Sequence, residues 1–263
     1  MYEAAGLGDL ESFLAAKKDL ALAQQSRPSL DVAEGTRALH NVGIIYCNIK
    51  PKNILVFKGD KFPYVLKLAD FESLLLVSEV PEILSALPRT RIWQPPEARG
   101  RIPRNQLTKV DIFSLGLVIW SILTFGFPKD VLNALDQRVL GNGSLEEAML
   151  STTLRYVLLE SLRELSLLHD RNGGDRDRGN GDEGETAAHL SRLQSAQYLL
   201  IQTLHENPSE GLTDAKDVVE SLRKIVSPLI RNRWIESVIA GERPFEPFEF
   251  DELESELFLS AGM

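Results

Sequence analysis

The stretch from Ile44 to Glu72 constrains this chain more than any other. It opens on an apolar pair, Ile44-Ile45, and enters a polar loop, Tyr46-Cys47-Asn48-Ile49-Lys50-Pro51-Lys52-Asn53. Two short apolar runs follow, Ile54-Leu55-Val56-Phe57 and Tyr64-Val65-Leu66-Lys67-Leu68, either side of Lys58-Gly59-Asp60-Lys61. Strand-forming runs around a Gly-Asp turn predict a β-hairpin. The hairpin delivers the chain to Asp70-Phe71-Glu72.

Residues 44–53 resemble the catalytic loop of eukaryotic protein kinases, His-Arg-Asp-Leu-Lys-Pro-x-Asn. Lys50, Pro51 and Asn53 fit that pattern, while Tyr46, Cys47 and Asn48 stand where His, Arg and the catalytic Asp are expected. In the family that Asp accepts the substrate hydroxyl proton. An Asn amide has no site that titrates to take it, so Asn48 is a degenerate base position. Asp70-Phe71-Glu72 is similar to the kinase Asp-Phe-Gly, with Glu in place of Gly. The resemblance implies that Asn53 and Asp70 would hold Mg²⁺ on the phosphates of ATP, and both offer the hard oxygen donors that ion requires. It adds Leu55 to the nucleotide-binding set. It also implies that Lys50 and Thr90 approach the catalytic position and the substrate hydroxyl.

Three further segments carry the same resemblance in the same order. Thr90-Arg91-Ile92-Trp93-Gln94-Pro95-Pro96-Glu97 is similar to the end of a kinase activation segment, and Asp111-Ile112-Phe113-Ser114-Leu115-Gly116 to the start of the central F helix. Leu115 to Phe127 is apolar nearly all round, which predicts a helix buried in a core and too short to cross a bilayer. Residues 1–14 resemble the hinge and D helix, so Gly6 and Gly8 read as turn residues. Residues 29–41 resemble the end of the E helix, with Pro28 near its start and His40 in a structural role. The implied fold is mainly α: the helical kinase C-lobe with a small β-hairpin, over residues 1–226. The N-lobe is expected to be absent, with its Gly-rich loop, its strand Lys and its helix Glu. Residues 227–263 would form a C-terminal helix and tail.

Ser144-Leu145-Glu146-Glu147 fits a capping box, ahead of a helix expected to reach Leu168. The segment near 170–186 is polar, charged and Gly-rich, and reads as a disordered insertion. Helices are expected again over 188–205 and 214–226. Kinases place an Arg where Gly211 stands, and that Arg pairs with the Glu at the position of Glu97. Glu97 therefore needs another cation or solvent. The tail from Glu242 interleaves acids with Phe245, Phe248, Phe250 and Phe258. It reads equally as an adaptable docking segment and as a cover for its own lobe.

Composition narrows the functional classes. A net charge of −9 over 263 residues argues against a nucleic-acid partner, whose binding rests on a basic face. One cysteine, Cys47, excludes an internal disulfide, and four scattered histidines with it form no metal cluster. The beginning of the chain has no basic region followed by an apolar run. The expected address is cytoplasmic or nuclear, with protein partners and no membrane. Phosphorylation at Ser73, Ser78, Ser85 or Thr90 is expected to find no prepared cation, because the family's receiving Arg is Cys47 here. Arg89 and Arg91 lie too close to Thr90 to dock a distant loop. Three functions fit these residues: an inactive kinase-like scaffold or regulator, a Ser/Thr kinase represented by a fragment, and an ATP/Mg²⁺ sensor without turnover.

Overall fold

In the computed structural model the residues described are 5–16, 22–59, 62–85, 87, 93–95, 98, 100–124, 195–196, 198–205 and 211–225. The expected segments at 144–168, 170–186 and 227–263, together with Thr90 and Glu97, lie outside them.

Helix α1 (Leu10–Ala16) starts where Asp9 accepts the Ser12 N–H at 2.8 Å through its side chain, an ordinary N-cap. Its spacing buries Leu10, Phe13 and Leu14 on one face, and the Phe13 ring sits edge-on to Tyr64 at 4.8 Å. Helix α2 (Leu22–Asn41) contains residues 29–41 as its last part, as expected, and carries Pro28 in its interior rather than near its start. An interior proline removes one helical hydrogen bond and is costly; the burial of Leu30, Val32, Ala33 and Thr36 holds the helix against that loss. Gly43 ends it at φ 73°, the left-handed cap position that a side chain resists.

The expected hairpin is present. Strand β2 (Ile54–Lys58) pairs with β3 (Tyr64–Leu68) antiparallel, with Ile54 opposite Leu68 and Lys58 opposite Tyr64. The hinge-like residues lie along its other edge: Asp9 bridges Leu55, and Val56 donates its N–H to the Gly8 carbonyl at 2.9 Å. Asp31 of α2 binds the hairpin from beneath, accepting the Leu66 N–H at 3.1 Å and the Arg27 Nε–H at 2.9 Å. Burial pushes the Asp31 carboxyl above its ordinary range, and the Arg27 guanidinium and the Leu66 N–H pull it back.

Two more two-stranded sheets involve the activation segment. Strand β1 (Ile44–Ile45) pairs with β4 (Leu75–Leu76), and β5 (Ile83–Ser85) with β6 (Arg101–Pro103). Helix α3 (Leu107–Thr124) then runs through the centre. It begins at Leu107, four residues before Asp111, the expected opening of the helix, and with the preceding turn is long and apolar enough to cross a membrane by composition. Of its most apolar window, 78% is buried inside the protein, which makes it a core helix.

The main core joins α1, α2, the hairpin, α3 and the later helical residues 198–203 and 215–225. A second cluster of Ile45, Cys47, Val80, Ala98, Ile102, Leu107 and Val110 lies under the activation segment. On the far side, Ala215, Val218, Val219, Leu222 and Ile225 are buried at helical spacing. Arg223 there reaches Glu34 of α2 at 2.8 Å.

At Gly116, α3 lies close against residue 203: a Cβ there would fall 2.4 Å from Thr203 Oγ1. Gly116→Ala is expected to destabilise the protein by about 1–3 kcal/mol, and Thr203→Ala in the same chain to recover part of that loss. Urea denaturation of both single variants and the double variant measures it; equal midpoints for Gly116→Ala and wild type would mean the two helices separate freely.

Candidate functional site

The loop from Tyr46 to Asn53 is pulled inward by its own apolar residues. Ile45, Tyr46, Cys47 and Ile49 are all buried, so their backbone N–H groups need partners inside the protein. Asp111 on α3 supplies them. One carboxylate oxygen accepts the Tyr46 N–H at 2.7 Å and lies 2.9 Å from His40 Nε2; the other accepts the Cys47 N–H at 2.7 Å. Asp111 is fully buried, and a buried carboxylate is tolerable only with its oxygens satisfied in this manner. Cys47 itself adopts φ 62°. For a residue with a Cβ that conformation costs about 1–2 kcal/mol, and the two short bonds to Asp111 hold it.

A second set of bonds closes the loop onto the hairpin. The Tyr46 hydroxyl donates to the Ala69 carbonyl, and the Ala69 N–H donates to the Asn53 carbonyl at 2.9 Å. The Asn53 side-chain amide donates to the Asn48 carbonyl at 3.0 Å. Burial raises the Tyr46 phenol above its usual value, with the Asp70 and Asp111 charges adding to the rise, so Tyr46 remains a donor at neutral pH. Asp70 follows Ala69 directly and is left-handed, at φ 60° and ψ 71°. Phe71 packs edge-on against the Tyr46 ring at 5.8 Å and is half exposed.

These contacts tie Asn48 to Asn53, and Asn53 to Ala69, the residue before Asp70. Asn53 is buried and Asp70 exposed. Because the NH₂ end of Asn53 is held by Asn48, the oxygen end is the one available to a cation, which agrees with the oxygen chemistry of Mg²⁺. Lys50 caps the turn Pro51–Asn53 in extended conformation, and Leu55 is half-buried in β2 opposite Lys67. Among the described residues no group of three or more His, Cys, Asp or Glu side chains forms a metal cluster.

The end of the activation segment meets α3 at Trp93. Ser114 Oγ lies 2.6 Å from the Trp93 carbonyl and 2.8 Å from the Val110 carbonyl, and its single hydrogen serves one of them at a time. Gly211, where the family's Arg is expected, is closed off by the backbone. A Cβ at that position would lie 2.5 Å from the Gln202 carbonyl oxygen, whose lone pairs receive the Leu212 N–H at 3.1 Å. Restoring the Arg would therefore require the backbone to move.

Sequence reasoning read Asp111 only as the opening of a helix and missed its role as the loop's anchor. The available signal was an acid within Val110-Asp111-Ile112-Phe113: a carboxylate on a helix apolar all round is buried and must be partnered.

A helical lobe with a polar loop, a hairpin and an acid at its end defines a kinase-type architecture, and the comparisons agree. The family model of the protein kinase domain matches residues 1–222. The chain belongs to the protein kinase domain family. It is 30% identical over 123 residues to the serine/threonine/tyrosine-protein kinase HT1 of Arabidopsis thaliana, covering 46% of this chain and 30% of that protein. It is 31% identical over 119 residues to the serine/threonine-protein kinase-transforming protein mos of Moloney murine sarcoma virus, covering 44% and 30%. With the mitogen-activated protein kinase kinase kinase dlk-1 of Caenorhabditis elegans the identity is 30% over 94 residues, covering 36% and 10%. The matched region thus spans less than a third of each of these relatives.

Asp111→Ala is expected to leave the Tyr46 and Cys47 N–H groups without acceptors and to destabilise the protein by about 3 kcal/mol or more. Asp111→Asn, which keeps one acceptor oxygen, should cost less. Chemical denaturation ranks the two, and an Asp111→Ala protein as stable as wild type would show that water replaces the carboxylate.

Proposed function

We propose that this chain is a kinase-like domain that does not transfer phosphate and acts through protein contacts, as scaffold or regulator. The observation that carries the reading is Asn48 at the position of the catalytic base. The surrounding loop keeps a kinase-type arrangement, with Asn53 bonded to the Asn48 carbonyl and Asp70 beside it. Asn48 stands where the base is expected, and its amide takes up no proton at neutral pH. Loss of a general base alone lowers rates by a factor of about 10²–10⁴. Glu72 after Phe71 and the closed backbone at Gly211 support the same reading.

A second reading, Mg²⁺-nucleotide binding without turnover, is supported by the survival of Asn53 and Asp70. These two residues would hold the ion, which when bound neutralises charge on the nucleotide phosphates. The pair of oxygens, the exposed Asp70 carboxylate and the committed NH₂ end of Asn53 fit that ion.

The purified chain incubated with radiolabelled ATP, Mg²⁺ and a generic Ser/Thr substrate is expected to give no transfer above background. Asn48→Asp alone should remain inactive, and the same variant fused to a compatible kinase N-lobe should turn over. Transfer by the wild-type chain that Asp70→Ala abolishes would overturn the first reading. For the second, titration with Mg²⁺ and a fluorescent ATP analogue should show binding that Asp70→Ala weakens at least tenfold; binding indifferent to that change would remove it.

A further inference from the structure

The register of the β5–β6 ladder places Ser85 opposite Arg101, Leu84 opposite Ile102 and Ile83 opposite Pro103. Successive side chains of a strand point to opposite faces. Ile102 is buried and Leu84 packs on the second core cluster, so Ser85 and Arg101 share the outer face, and both are exposed. The Arg104 N–H donates to the Glu82 carbonyl at 2.9 Å, which marks 82 and 104 as a hydrogen-bonded pair. Alternation along the ladder makes 85 and 101 a non-hydrogen-bonded pair, in which side chains approach most closely. Pro103, which has no N–H to donate, falls at the other such pair, consistent with this phase. Among the described residues Arg101 makes no ion pair.

We propose that Ser85 is a phosphorylation site and that its phosphate is received by Arg101 across the ladder. The cation that fastens the activation segment has moved from the catalytic loop, where Cys47 is buried among apolar side chains, to the strand that follows the segment. The sequence expectation was that none of the four hydroxyls has the family's prepared partner; on this proposal Ser85 has a different one, Arg101, while Ser73 is buried and Ser78 lies in the turn Val77–Glu79. Sequence spacing did not show it, because sixteen positions separate two residues that only the ladder brings together.

A separate protein kinase carries out the modification with ATP as phosphoryl donor. The bond from Ser85 Oγ to the γ-phosphorus forms as that phosphorus parts from the bridging oxygen of ADP, and the hydroxyl proton passes to that enzyme's base. The product carries about two negative charges and three strong acceptor oxygens, which suit the fork of a guanidinium. Tightening the outer face of β5–β6 also tightens the inner face. There Leu84 and Ile102 pack on the cluster containing Cys47, so the phosphate holds the segment down on the catalytic loop without touching it.

The test is hydrogen exchange on the full chain carrying genetically encoded phosphoserine at position 85. The ladder-bonded amides of Leu84, Ile102 and Arg104 are expected to exchange about fivefold more slowly than in the unmodified chain at low salt, with the difference shrinking in 1 M salt. In the phosphorylated Arg101→Gln variant the slowing should vanish, and Arg101→Lys should retain part of it. The proposal is overturned if phosphoserine 85 leaves these amides unchanged, if Arg101→Gln is slowed equally, or if phosphoserine at 78 produces the same protection.

Discussion

The described lobe depends on one buried carboxylate. Asp111 gathers the N–H groups of Tyr46 and Cys47 and the ring of His40 at once, tying the end of α2 and the loop after it to a helix far along the sequence. A buried anion held by well-directed donors tolerates little displacement, because each lost bond exposes charge to a medium that cannot solvate it. The loop's geometry is therefore set from below, by the central helix, before any chemistry at its surface is considered. That is also why Cys47 can stay in a left-handed conformation: the strain is small beside the two bonds that impose it.

The packing divides into two bodies of apolar side chains with different duties. The larger fastens α1, α2, the hairpin and the later helices to α3, and Gly116 allows the helical residues around Thr203 to approach unusually closely. The smaller lies between the loop and the activation segment. In the smaller body Cys47 is buried among apolar side chains, and a charged side chain there would need a partner that this cluster does not offer. At Gly211 the backbone likewise leaves no room for a side chain.

The loop and the hairpin's end bring two kinds of polar group together. The oxygens suited to a hard cation, on Asn53 and Asp70, are held in place by bonds through Ala69 and Asn48. Where the family's base is expected stands an amide, Asn48, of almost the same shape as a carboxylate, but one end of it donates hydrogen bonds where a carboxylate only accepts. The reading of the domain as non-catalytic rests on that one side chain.

Much of this was written in local sequence. The hairpin followed from strand-forming runs around Gly59-Asp60, and the core helix from an apolar stretch with no polar face; both depend on neighbours in the chain. The expectation of a degenerate base rests on sequence alone, on the identity of Asn48, whose amide takes up no proton. The place of Pro28 was misjudged: it lies inside α2 rather than near its start, since burial carries the helix past it and local propensity does not register burial. The anchoring by Asp111, 65 residues from Tyr46, and the pairing of β5 with β6 belong to tertiary structure alone. Each is a contact between surfaces that meet only when the chain is folded, and the directionality of a hydrogen bond selects the partner after the hydrophobic effect, which has no direction, has brought the segments together.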